Sequence, residues 1–197
     1  LVADSHARPP HVVRCRAGLG SSHWSLAFST LLEEPGVTEI SVELSVYGAL
    51  RVKLRQSRYL HIGSTGSQSQ LWQTRVCVRY QTASGPQSEC FLLSAPSAEF
   101  RLSKASACPV YLFANDNASG YYVATYSGDL LSKLVEHRSL LNAGERMTLL
   151  HDLNAVAEAG HGKISTALQA ARTFADAPER EDSVQAQALV AGVRNLL

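Results

Sequence analysis

The sequence is short of most features that announce a chemistry. Of its 197 residues, one is Met and two are Trp. Lys and Arg number 18 against 17 Asp and Glu, so the formal net charge is +1. Without an excess of positive charge, no bulk field draws nucleic acid or an anionic membrane surface. The longest apolar runs, such as Val110–Ala114, fall far short of the roughly 20 residues that a membrane span requires. No charged-then-apolar leader opens the chain, and residue 1 is Leu, so the expectation is an excised or processed piece of something longer.

Motifs of catalysis are missing as well. A zinc-hydrolase helix needs two His four residues apart with a Glu beside the first, so that both imidazoles face one metal. The seven histidines (His6, His11, His23, His61, His137, His151 and His161) contain no such pair, and none is followed by Glu. Gly18-Leu19-Gly20 and Gly63-Ser64-Thr65-Gly66 complete neither a dinucleotide fingerprint nor a Walker loop, and read as ordinary turns. No G-x-S-x-G elbow supports serine-hydrolase chemistry. The four cysteines (Cys15, Cys77, Cys90 and Cys108) lack C-x-x-C spacing, which removes a zinc knuckle and a thioredoxin-type motif. Arg75 and Arg79 beside Tyr80 read as a solvated strand face, and His151 beside Asp152 as a satisfied or surface imidazole.

What is present is ordinary globular composition, with 45% apolar and 18% charged residues. The chain divides in two. Residues 1–108 carry 11 Lys and Arg against 7 Asp and Glu, whereas residues 109–197 carry 7 against 10. Ile40, Val42, Leu44 and Val46 alternate with polar residues, and Leu50, Val52 and Leu54 repeat the pattern after a turn at Tyr47-Gly48-Ala49. Leu71–Gln81 predicts a third strand, with Trp72, Val76, Val78 and Tyr80 on one face, and Ser84-Gly85-Pro86 turns it into Glu89–Leu93. Gly63–Gln70 reads as an exposed loop. Short strands at this spacing predict an antiparallel β-sandwich.

Beyond about Gly128 the period becomes helical. Met147, Leu150, Leu153 and Val156-Ala157 mark a helix, with Asn142 and Glu145 as a capping box and Gly160 at its C-terminal left-handed position. Ile164, Leu168 and Ala171 mark another, an Asp176–Asp182 linker with Pro178 follows, and Val184–Leu197 forms a last helix that ends apolar. Short connections predict antiparallel pairing of these helices. Trp24–Leu32 predicts a short amphipathic helix near the front. The resulting fold class is α+β by segment: a tail of an upstream domain over residues 1–35, a β-sandwich over 36–119, and the start of a helical array over 120–197.

Cys77 and Cys90 fall on successive strands about one turn. They are either a disulfide, which implies an oxidising compartment, or two reduced packed thiols. Cys108 reads as a core residue, and Asn117-Ala118-Ser119 fits a glycosylation acceptor.

The order of features resembles the C-terminal part of the zinc aminopeptidase N family. Ala27–Leu32 followed by Glu34-Pro35-Gly36-Val37 is similar to the family's closing helix and "Q-P-G-x-P" step, with Glu34 and Thr38 in place of Gln and Pro. Gln56-Ser57-Arg58-Tyr59 followed by Leu71-Trp72 resembles its "Q-x-R-F … W-x-x-P" strand pair, with Thr74 near the Pro position. Cys77, Cys90 and Cys108-Pro109 are similar to the cysteine positions of bacterial members. Asn115–Tyr122 resembles "N-x-x-x-x-G-Y-Y-R", with Val123 for Arg, and Asn142–Asp152 resembles "x-x-D-R-x-x-L-x-x-D", with Glu145 for Asp.

That resemblance implies a parent that removes single N-terminal residues from peptides, using zinc in an upstream catalytic domain of the same chain. It leaves no catalytic and no metal-binding residue in this stretch, where H-E-x-x-H and G-x-M-E-N are both missing. The implied role is architectural: spacing and closing the active-site chamber, with Gly120, Tyr121 and Tyr122 fixing the joint between sandwich and helices and both tyrosines buried. A bridged Cys77–Cys90 leans the compartment toward the periplasm or secretion. The alternative is a free-standing β-sandwich binding module with a helical extension.

Overall fold

In the computed structural model the residues described are 36–47, 49–176 and 179–194. The expected helix at Trp24–Leu32, the Glu34-Pro35 step, the tail over 1–35, Cys15, Gly18-Leu19-Gly20 and Pro178 lie outside them. Among the described residues the fold is mixed α/β, with two sheets, mostly antiparallel, and four α-helices.

The alternating segments form the strands expected of them. β1 (Thr38–Tyr47) and β2 (Ala49–Arg58) pair antiparallel in a register that sets Val42 opposite Leu54 and Leu44 opposite Val52. With a period of two, that register puts the apolar row of both strands on one face. β3 (Thr74–Thr82) and β4 (Gly85–Leu93) form a hairpin whose two-residue turn is Ala83-Ser84, one step earlier than the Gly-Pro pair suggests. Gly85 there takes φ +105°, a conformation that favours glycine.

Three strands carry too little pattern to be foreseen. β5 (Ser97–Arg101) pairs with β2; β6 (Leu112–Phe113) pairs with β3; β7 (Tyr122–Tyr126) pairs with β1. The β1–β7 pair is parallel, in the register Thr38 to Tyr122, which corrects the expectation of an all-antiparallel architecture. Sheet order is β5-β2-β1-β7 in one sheet and β4-β3-β6 in the other. β7 also carries the first sheet past residue 119, so the helices begin only at α1 (Leu130–Glu136).

The inward faces of both sheets close over one apolar cluster, with Ile40, Val42, Val52 and Leu54 from the first sheet and Val76, Val78 and Leu112 from the second. Gln56 extends the inward row of β2 as a buried amide. Its Nε2 donates to the Trp72 and Ala95 carbonyls at 2.9 and 3.0 Å, and its Oε1 accepts from the Trp72 amide at 2.9 Å. A polar side chain stays buried only when so satisfied.

A second cluster belongs to the helices α2 (Ala143–Glu158), α3 (Ile164–Ala175) and α4 (Arg180–Arg194). α2 starts on the expected capping box and ends in a Schellman turn. There the His161 amide reaches the Val156 carbonyl, and Gly160 sits at φ +73°. α3 buries Ala167, Ala170, Ala171 and Phe174, whereas Leu168 is largely exposed, as is Val184 of α4. Alanines let helix axes approach, so the buried stripe follows the small residues. β6 feeds both clusters: Leu112 points into the sheet core, and Phe113, with Tyr111 just before it, into the helical one. Cys108 is exposed, against the expectation of a core residue.

Cys77 and Cys90 stand opposite each other on β3 and β4 and form a disulfide. By loop-closure entropy a bridge of this span contributes about 3 kcal/mol. Urea unfolding with and without a reducing thiol should show a clear drop in midpoint on reduction. An unchanged midpoint would mean that the hairpin holds without the bond.

Candidate functional site

The chemistry-bearing residues converge where the sheets meet α2. Three residues that open this helix prepare the meeting. Asn142 caps it, accepting from the Glu145 amide at 2.9 Å, and Glu145 returns the bond to the Asn142 amide at 2.9 Å. The Glu145 side chain is wholly buried, so its carboxylate needs more than a cap. Arg79 of β3 supplies a 2.6 Å ion pair to Oε2, and the Asn117 amide donates to Oε1 at 3.1 Å. Arg79 also reaches the Leu140 carbonyl at 3.2 Å. One residue on, Arg146 pairs with the buried Asp182 of α4 at 2.6 Å and donates to the Leu141 carbonyl at 2.9 Å. Adjacent residues of α2 thus tie it to the sheets on one side and to α4 on the other.

The loop between β6 and β7 is shaped by its own side chains. The buried Asn115 closes it, donating to the Gly120 carbonyl at 3.0 Å and accepting from the Gly120 amide at 2.7 Å. Asn117 and Ala118 both take positive φ inside it. Gly120 lies so close to the Tyr122 ring that a Cβ there would fall 2.2 Å from a ring carbon. The Tyr122 hydroxyl donates to the Ala114 carbonyl at 2.5 Å, and the Tyr126 hydroxyl accepts from the Ala114 amide at 3.2 Å. Of the expected joint residues, Gly120 and Tyr122 are therefore packed against each other, and Tyr122 is buried. Tyr121 stands just before β7, outside the paired strand, and is 65% exposed, which corrects the reading of a buried tyrosine pair.

Asp152, two turns further along α2, is the exception among these charges. It is 1% exposed, and neither carboxylate oxygen has a hydrogen-bond partner among the described residues. Burial raises its pKa from an ordinary 3.8 to about 6, with the His151 ring and the Ala124 amide only partly offsetting it. The His151 Nδ1 is 3.9 Å away on a side chain that is 73% exposed, and the Asp152 carboxylate raises the imidazole pKa in turn. Asp152 lines a cleft of about 420 Å³ together with Tyr59, Tyr121, Tyr122, Val123 and Glu158. Tyr59 donates to Glu158 at 3.4 Å, and its pKa is raised to about 12, first by burial and then by that carboxylate. Below the cleft, His161 pairs with the buried Glu39 of β1 at 2.8 Å, anchoring the end of α2 to the first sheet.

Local pattern marks Glu145 as a cap and a motif position and Asp152 as a motif position beside His151, while Arg79 reads as part of a solvated face. A buried ion pair between a strand and a helix 66 residues apart leaves no local periodicity by which to find it. Among the described residues no three His, Cys, Asp or Glu side chains converge as a metal ligand set, and no helix is long and apolar enough to cross a membrane. No family model matches the chain, and no curated protein matches it.

Two expectations follow. Glu145→Ala removes the acceptor shared by Arg79, Asn117 and Asn142, and should cost about 3 kcal/mol in chemical unfolding. A loss under about 1 kcal/mol, the scale of an ordinary cap, would show that the buried ion pair adds nothing. Asp152, with its pKa raised on folding, penalises the folded state progressively as pH climbs from about 4 through 6. His151, also raised, gives stability at low pH that is likewise lost as pH rises. Asp152→Asn should therefore be more stable than the parent at pH 7, by on the order of 2–3 kcal/mol, and nearly equal to it below about pH 4. Thermal melts across that range check the sign, and a parallel pH dependence in both proteins would refute the assignment.

Proposed function

We propose that this chain is the non-catalytic, architectural part of a zinc aminopeptidase. On this reading a β-sandwich is joined to the first helices of a C-terminal helical domain, spacing and closing the chamber of an upstream catalytic domain. What carries the reading is the joint itself. The most specific stretch of the resemblance, Asn115–Tyr122, and the later stretch Asn142–Asp152 are apart in sequence yet meet there. Asn142 Nδ2 donates to Asn117 Oδ1 at 3.1 Å, and the Asn117 amide donates to Glu145. The other paired stretch behaves alike, since the Gln56 amide clamps the Trp72 backbone on both sides. Two sheets facing across one apolar cluster fit a sandwich used as a rigid spacer.

A departure from the family pattern fits too. Val123 stands where the pattern has Arg, and it lines the same cleft as Asp152. A carboxylate buried without a partner is what the loss of a neighbouring cation leaves behind. The zinc and the groups that act on peptide belong, on this reading, to the upstream domain, and no residue here is given a catalytic or metal-binding role. The oxidising compartment that suits the disulfide agrees with a periplasmic or secreted parent.

The test is to sequence the coding DNA upstream of Leu1, express the whole protein, and measure bound zinc and release of N-terminal residues from short peptides. The reading expects about one zinc per chain and turnover that a chelator abolishes, with neither in residues 1–197 alone. An open frame without H-E-x-x-H, or a whole protein that neither binds zinc nor cleaves peptide, would refute it and leave a sandwich-based binding module.

A further inference from the structure

The cleft beside Asp152 has a composition that selects for one sign of charge. Asp152 and Glu158 contribute two carboxylates, Tyr59, Tyr121 and Tyr122 three aromatic rings, and His61 and His151 two imidazoles, while none of the described residues lining it is Lys or Arg. Asp152 is almost wholly buried, yet neither oxygen has a donor within hydrogen-bond geometry; the His151 ring at 3.9 Å and the Ala124 amide act on it only weakly. A buried carboxylate in that state is normally met by a donor or a cation. Glu158 is held at the rim by Tyr59 and by Asn154, which donates at 2.9 Å, with His61 Nδ1 3.7 Å away. Aromatic faces beside carboxylates are the usual surroundings of an organic cation.

We propose that this cleft binds a small organic cation carrying N–H donors, an alkylammonium or guanidinium group, with Asp152 as its counter-ion and Tyr59 and Tyr121 as its walls. Both Asp152 oxygens are buried, so on this proposal the exposed His151 ring, its Nδ1 3.9 Å from Oδ1, gives way to admit the donor. A cleft of about 420 Å³ has room for such a group and several carbons of its chain. This inference is independent of the peptidase reading.

Binding is linked to protons. The groups that face Asp152 are His151 and Glu158 on its own helix, Tyr122 and Tyr126 from β7, and Tyr59 and His61 from the segment after β2. Of these, a cation favours ionised Asp152 and neutral His151, so affinity should rise between about pH 5 and about pH 7.

The experiment is an amide NMR titration of the 197-residue chain with methylguanidinium, and in parallel with tetramethylammonium, which has the charge but no N–H. Methylguanidinium should shift the amides of Val123, Ala124 and His151 saturably, more tightly at the higher pH. Tetramethylammonium should bind at least about tenfold more weakly. Asp152→Asn should weaken methylguanidinium binding at least about tenfold while keeping the amide pattern of a folded chain. Glu158→Gln, at the rim, should weaken it only about two- to threefold. If Asp152→Asn does not fold, the pH profile and the comparison of the two cations decide. Equal binding of both cations, unchanged binding in a folded Asp152→Asn, an affinity that does not rise with pH, or no saturable shift would each overturn the proposal.

Discussion

A carboxylate taken wholly out of water fixes most of this structure. Burying Glu145 costs several kcal/mol of solvation, which is recovered only if its oxygens meet donors in good geometry. Those donors come from three places: Arg79 on a central strand, the Asn117 amide in the β6–β7 loop, and the Asn142 amide that precedes α2. Displacing the strand, the loop or the turn before α2 takes a donor away from a buried carboxylate. The sheet, the loop and the helix therefore sit in one arrangement.

The remainder is consistent with that constraint. With α2 fixed against β3, Arg146 on the next residue faces the other way and brings in Asp182 of α4, so the helical layer is built outward from the same turn. The loop held by Asn115 returns the chain to the first sheet, where β7 joins β1 in parallel. β6 contributes Leu112 to one core and Phe113 to the other, so the sheets and helices share a strand and not merely a surface. Asp152 is the one member of this charged row on α2 that the fold leaves unanswered, and the cleft beside it is where chemistry from outside can enter.

Much of this was readable in the sequence where the signal was local. The period-two runs of β1 to β3, the turn that leads into β4, the capping box at Asn142 and the glycine that ends α2 are each decided by residues within a few positions. β6 and β7 escaped because two and five residues are too few to establish a period, and both of their faces are buried, so no polar alternation marks them. Tyr121 is exposed because sheet pairing begins only at Tyr122, and Tyr-Tyr alone does not announce where a strand starts. Arg79 read as a surface residue because its partner lies on an element 66 positions away. The isolation of Asp152 was unreadable in principle: a sequence records which charges exist, not which of them finish without a partner.

The central claim is that sheets and helices are one cooperative unit, locked at Glu145. It is tested most directly by following urea unfolding with two probes in a Trp24→Phe background. Trp72, buried at the edge of the sheet core, reports on the sheets by fluorescence, and circular dichroism at the helical band reports on α2 to α4. The account predicts a single transition with coincident midpoints, as expected of a two-state unit. Separate transitions, with helices melting while Trp72 remains buried, would contradict it and show two independently folding parts.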